Sequence, residues 1–328
     1  MNLINTVLGQ IDVEKLGKTL VHEHIVGGYP GWECDALARP YDRKKIVSVC
    51  VKNVGPVKEY GIQSIIDATP IDLSRDVQVL KEVSEILRIN IICATGMYME
   101  ELGKWAYLKQ RSRSGVGDMA QELYDTYMHE LTVGIKDTGI KAGVIKVATG
   151  FNNISECEMA SLKAAARAQK ATGVPIVTHT ENGTMGPEQL DVLLKEGVDP
   201  LKIMCGHMCC NSSIEYQLEV LKRKTFIAFD RFGVEAIMPD EVRKIMLVGL
   251  IGSGYADRIM LSQDCFGCGF GRGGILPENQ KRKLQNWTYT NIFRNILPAL
   301  RAAGITEEQI NQMMVENPRR LFENRSLS

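Results

Sequence analysis

Short runs of apolar, largely β-branched residues recur along the chain at 18–25, 63–68, 89–95, 142–148, 175–180, 203–208, 226–232 and 259–265. Each is nearly continuous in apolar character and is bounded by polar residues or glycine, the pattern of strands buried on both faces of a parallel sheet. Between them, the stretches 43–60, 74–87, 117–138, 156–172, 186–195, 213–223 and 239–252 place apolar residues three and four apart, which predicts helices. Two more helical stretches follow at 284–301 and 306–322. Local signals agree with these bounds. Ser155 stands three residues before Glu158, a capping-box spacing, and Gly173 ends the helix so opened. Asp240 and Glu241 follow Pro239, a good first turn.

Strands alternating with helices at intervals of roughly 35 residues predict right-handed βαβ units and a parallel sheet. Eight such units predict an α/β fold closed into a (β/α)8 TIM barrel. No Pro- or Ser-rich linker divides the chain, so 1–328 reads as one domain.

Composition narrows the partners. Hydrophobic residues make up 45% and charged residues 24%, which excludes a wholly disordered chain. The 39 basic residues balance 39 acidic ones, so no nucleic-acid partner is expected. No apolar run approaches the roughly 18 residues that a membrane span needs. The first ten residues carry neither a basic region nor a long apolar core, so no secretory leader is expected. Nine scattered cysteines read as reduced thiols, several of them buried, in a reducing, cytoplasmic compartment.

The histidines change the picture. His22 and His24 lie in the first strand, and a spacing of two puts both on one face. His179 ends the fifth strand, His207 the sixth, and Asp264 the eighth. His129 falls in a predicted helix and reads as a surface residue. One histidine at a strand end is ordinarily just a polar residue near the surface. Four, with an acid, at the same rim of one barrel form a cation site suited to zinc, with iron, cobalt or manganese as alternatives. Lys146 lies inside the apolar fourth strand, where an ammonium is costly unless paired or neutralised. A salt bridge is the plain reading. Beside metal ions an ammonium would be repelled, and a lysine of lowered pKa reacts with carbon dioxide to a carbamate, a carboxylate equivalent that could bridge two ions.

This ordered set (His22-x-His24, Lys146, His179, His207 and Asp264), with its local contexts at 16–24, 139–146 and 178–180, resembles the phosphotriesterase family of the amidohydrolase superfamily over essentially the whole chain. Within it, the phosphotriesterase-like lactonases are the nearest pattern. They carry a tyrosine after strand three, matched by Tyr98, and an Asp-Arg pair after strand seven, matched by Asp230 and Arg231. The resemblance implies a binuclear metal hydrolase that opens lactones or related carboxylic esters. The more buried ion would be held by His22, His24, Lys146 and Asp264, and the more exposed one by Lys146, His179 and His207. A hydroxide would bridge them, with N6-carboxylated Lys146 as the shared ligand. Asp264 would carry a proton towards the leaving group, Tyr98 would orient the substrate carbonyl, and Arg231 would fix a polar substrate group or pair with a loop acid. The same machinery could attack phosphotriesters, and a non-catalytic ligand-binding barrel is the alternative of another class. Homodimers are common in such a family.

Two departures stand out. The run 265–274 is so rich in glycine that a mobile loop is expected there, and Gln263 stands where these lactonases often have histidine. Two motifs are read as incidental. Gly269, Gly271 and Gly274 have dinucleotide-fingerprint spacing, but no helix start follows the last glycine. Cys265 and Cys268 have redox or zinc spacing, but lack a second ligand pair and lie in a glycine loop.

Overall fold

The computed structural model describes residues 2–272 and 277–323. An antiparallel hairpin opens the chain, β1 (Leu3–Thr6) against β2 (Gly9–Asp12). Eight strands then lie where the apolar runs predict them: β3 (Thr19–Gly27), β4 (Ser64–Asp67), β5 (Asn90–Gly96), β6 (Val144–Thr149), β7 (Ile176–Thr180), β8 (Ile203–Cys205), β9 (Phe226–Phe229) and β10 (Ile259–Leu261). A further strand, β11 (Phe266–Gly269), follows. β3 to β11 form one nine-stranded sheet in the order β10-β9-β8-β7-β6-β5-β4-β3-β11, with every neighbouring pair parallel.

All nine residues of β3 and all six of β6 are buried, which is why these strands read as unbroken apolar runs rather than alternating ones. One apolar layer fills the concave side of the sheet, with Val21, Ile66, Ile92, Val144, Val177, Met204, Phe226 and Met260 in contact. The other layer joins the strands to the helices, through Leu20, Ile65, Ile145 and Ile227 among others. The helices are α1 (Arg43–Val54), α2 (Val77–Leu87), α3 (Ala106–Arg113), α4 (Met119–Thr132), α5 (Glu156–Thr172), α6 (Gly186–Lys195), α7 (Ile214–Leu221) and α8 (Asp240–Gly252). The capping box of α5 is present as the sequence predicts, and Gly173 follows it in the left-handed region (φ 75°).

Three expectations need correction. The helix α3 is absent from the hydrophobic pattern because it buries no residue, so it has no apolar period to read. The stretch 285–290 interrupts the predicted helix 284–301, because tertiary bonds hold it. Trp287 Nε1 donates to Gln263 O (3.0 Å) and Asp264 O (3.1 Å), and Tyr289 OH donates to His24 O (2.9 Å). The glycine run does not form a mobile loop throughout, since Phe266–Gly269 pairs with β3 in the register Phe266↔His24 and Cys268↔Val26. Glycine is needed at 267, where a Cβ would lie 2.6 Å from Ile25 O. Gly273, Gly274, Ile275 and Leu276, which complete the fingerprint and its sequel, lie outside the described residues. A helix begins at Glu278, four residues past the last glycine of the motif.

The segment between β10 and β11 runs along β3. His22 N donates to Ser262 Oγ (2.9 Å), Asp264 N to His22 O (3.0 Å) and His24 N to Cys265 O (2.9 Å). Glu23, fully buried, accepts from Ser262 Oγ (2.7 Å), Gln263 N (2.9 Å) and Cys265 N (2.8 Å). Among the described residues, no helix is long and apolar enough to cross a membrane.

Candidate metal centre

The six predicted ligands lie on, or just beyond, five strands of the sheet, β3, β6, β7, β8 and β10. On β3 the pairing with β4 shifts register between Leu20 and Glu23. This irregularity lets Val21 pack on the concave side while its neighbour His22 also faces the centre; in a regular strand successive side chains point opposite ways. Lys146 comes from β6 and His179 from β7. His207 lies two residues past β8 and Asp264 three past β10, and both adopt left-handed backbone (φ 59° and 53°). Such conformations are disfavoured for non-glycine residues and persist where the surroundings over-determine them. His129 is exposed on α4, as the sequence suggests.

All six predicted ligands meet. Asp264 Oδ1 lies 3.0 Å from His24 Nε2 and 3.8 Å from His22 Nε2, while its Oδ2 lies 3.9 Å from His207 Nε2. Lys146 Nζ is 2.8 Å from His22 Nε2. The ring of His207 stacks on His22 (centroids 4.6 Å apart) and meets His179 edge-on (4.5 Å). His22, His24 and Asp264 offer donor atoms within 4.8 Å of one another, the spacing that a cation needs.

The electrostatics leave these donors in their ligating states. Burial pushes His22 down to about 4, with the Lys146 charge acting the same way. Burial likewise lowers His179 to about 4 and takes His207 well below the ordinary imidazole range. Desolvation brings the Lys146 amine down to about 7. Burial alone would raise Asp264, but the facing His207 ring, the Arg231 charge and a hydrogen bond with His24 hold it well below the usual carboxylate range. Neutral imidazoles at His22, His179 and His207, an amine that gives up its proton near pH 7 and an ionised carboxylate are the forms with lone pairs to give.

A second set of residues orients the first. Asp230, fully buried one residue beyond β9, accepts from His22 Nδ1 (2.7 Å) and His207 Nδ1 (3.1 Å), and also from His207 N (2.9 Å). Its oxygens are engaged, so although it lies within ligating distance of both rings, its role is to turn their Nε2 atoms towards the centre. Thr69 Oγ1 is 2.8 Å from His24 Nδ1, and Glu181 Oε2 is 2.8 Å from His179 Nε2, which leaves Nδ1 as the donor of His179. The sequence reading gave none of these three a role. The signal for Asp230 was there, because it stands at a strand end as His179, His207 and Asp264 do.

Tyr98 and Arg231 reach the same place. Arg231 Nε donates to Asp264 Oδ2 at 2.8 Å, so it pairs with a predicted ligand rather than with a loop acid. The Tyr98 ring meets His179 edge-on at 4.9 Å and Tyr29 at 6.5 Å. Together with Lys146, His24 and Phe266 they line a cavity of about 40 Å³, and Phe266 stacks on the His24 ring (4.6 Å).

The profile of the phosphotriesterase family matches residues 2–322. The chain belongs to the phosphotriesterase family. This family member is 34% identical to a phosphotriesterase homology protein of Mycobacterium tuberculosis, over 98% of this chain and 97% of that one. It superposes on an organophosphorus hydrolase from Deinococcus radiodurans with a TM-score of 0.94 and 42% identity, covering 98% and 97% of the two chains. A variant of a phosphotriesterase-like lactonase from the same organism gives a TM-score of 0.94 and 41% identity, covering 98% of this chain and 100% of that one. The phosphotriesterase family is one of metal-dependent ester hydrolases, and the donors gathered here suit a divalent cation of borderline softness: imidazole nitrogen and carboxylate oxygen, beside an amine that burial brings down to about 7, with no thiolate among the described donors.

Proposed function

We propose that this protein is a single (β/α)8 barrel, closed where the 262–265 segment runs along β3, that opens lactones or related carboxylic esters with two divalent ions. The observation that carries the reading is the convergence of His22, His24 and His207 on one carboxylate, Asp264, with the Lys146 amine 2.8 Å from His22. His22, His24, Lys146 and Asp264 would hold one ion, and Lys146, His179 and His207 the other, with carboxylated Lys146 shared. Bound there, the ions supply Lewis acidity towards a carbonyl oxygen and lower the pKa of water, zinc being the first candidate.

The chain's own residues do the rest. Asp264 stays ionised and accepts the proton released as water adds to the ester. Arg231 fixes its Oδ2 face at 2.8 Å and keeps that carboxylate aimed inward. Burial raises the Tyr98 hydroxyl well above its ordinary value, so Tyr98 acts as a neutral donor towards the ester oxygen. Tyr98 and Arg231, the residues that match the lactonase pattern, both line the space beside the donors, and a variant of a phosphotriesterase-like lactonase is among the superposed structures. That is the ground for placing lactones ahead of phosphotriesters, which form the second reading.

Removal of metal with a chelator, followed by add-back and assay on a lactone panel and an aryl phosphotriester, tests both. Activity lost and regained, with kcat/KM higher on a lactone, is expected. Higher kcat/KM on the phosphotriester would reverse the ranking. Full turnover in the chelated protein would remove the metal reading altogether.

A further inference from the structure

Among the described residues all nine cysteines are free thiols, and only Cys34 and Cys268 are more than slightly exposed. Cys265 and Cys268, whose Cys-x-x-Cys spacing reads as incidental in the sequence, are turned apart in the structure. Cys265 Sγ is buried and turned to Trp287 O (3.6 Å). Cys268, three residues on along an extended chain, faces the other way, towards helix α1.

There it meets Cys50. The α1 helix is clamped to β11 by Asn53 Nδ2, which donates to Gly267 O at 2.8 Å. One turn earlier on the same helix face, Cys50 Sγ donates to Ile25 O at 3.2 Å, and the next residue of β3, Val26, is the register partner of Cys268. These contacts make Cys50 and Cys268 neighbours where α1 packs on β11, each thiol within the electrostatic reach of the other. Cys50 is fully buried, whereas Cys268 opens on a separate cavity of about 390 Å³ lined also by Arg39, Tyr41, Ile46, Val49 and Phe270.

We propose that Cys50 and Cys268 form a reversible dithiol switch, addressed through that cavity by a low-molecular-weight disulfide. The Cys268 thiolate attacks one sulfur of the oxidant, forming a mixed disulfide and releasing one thiolate. The Cys50 thiol gives its proton to that thiolate and attacks Cys268 Sγ, forming the Cys50–Cys268 bond and releasing the second fragment as a thiolate, which takes up from water the proton that Cys268 had given up. Two protein thiols are oxidised and one small disulfide is reduced to two thiols. The order of attack follows from the surroundings. The neighbouring Cys50 thiol, helped by the Arg39 charge, lowers Cys268 to about 7 against the opposing effect of burial, while the Cys268 thiolate and burial raise Cys50. The bond would tie α1 to the strand that carries Phe266, stacked on His24 at 4.6 Å, and leads into Phe270, stacked on Trp32 at 4.7 Å. This inference is independent of the substrate proposed above.

The folded wild-type protein is incubated with oxidised glutathione, its remaining thiols are blocked, and its peptides are mapped by mass spectrometry. The expected product joins the peptides of Cys50 and Cys268, is lighter than the two thiols by two hydrogens, and is reversed by dithiothreitol. In Cys50→Ala the reaction is expected to stop at glutathione on Cys268, and in Cys268→Ser the pair is expected to stay unmodified. A Cys265–Cys268 bridge, or a wild type in which glutathione remains on Cys268 or reacts at Cys34 alone, would overturn the assignment.

Discussion

The Asp230→Asn substitution isolates the part of the centre that sequence reasoning left without a role. Asp230 accepts from the Nδ1 of both His22 (2.7 Å) and His207 (3.1 Å), so each ring is held with its proton on Nδ1 and its lone pair on Nε2. Asparagine keeps one acceptor and turns a donor towards the second ring. The shorter bond to His22 is the one retained. His207 must then swing away, or move its proton to Nε2 and lose its donor atom. Loss of such an orienting bond weakens metal affinity about 10–100-fold, equivalent to roughly 1.4–2.7 kcal/mol. The upper end is expected here, because the conflict removes a ligand rather than loosening one. Apoprotein of each form, shown by circular dichroism to be folded, is titrated with zinc against a chromogenic chelator. An unchanged stoichiometry with affinity within about 3-fold of wild type would refute the reasoning, since the tautomers would then be set by something other than Asp230.

Three further outcomes are expected. Lys146→Ala should lose bound metal and recover it with millimolar short-chain carboxylate, as measured by metal analysis; full loading without the additive would exclude a carboxylated lysine. His207→Ala should lower kcat/KM by at least about 100-fold while Cys268→Ser stays within about 2-fold, and the reverse ranking would move the chemistry into the glycine run. Lys202→Met should flatten the pH dependence of stability on the alkaline side. Lys202 donates to Phe322 O (3.1 Å), and burial lowers its ammonium from 10.5 to about 8. Between those values the unfolded chain binds more protons, so wild-type stability gains with rising pH, and the variant should lack that gain in urea midpoints taken across the interval.

The periodicity of apolar residues was enough to place eight strands and most helices, because strands buried on both faces cannot tolerate polar interruptions except where chemistry needs them. For the same reason Lys146 and the strand-end histidines were visible as anomalies in apolar runs. Helix α3 was not, since it buries nothing, and the non-helical 285–290 segment was not, since distant hydrogen bonds from Trp287 and Tyr289 decide it. Glycines at 267 and 269 look like freedom in a string of letters; in three dimensions Gly267 is what lets a ninth strand lie against β3.

Residue types and their order along the chain therefore determined which side chains could gather a cation. How His22 and His207 share Asp230, how Arg231 reaches Asp264, and which cysteine Cys268 faces were decided by the tertiary structure alone. Those contacts join residues from 23 to 218 positions apart. No local periodicity encodes a pairing of that range; it exists only once the sheet has curved and brought the strand ends to one rim.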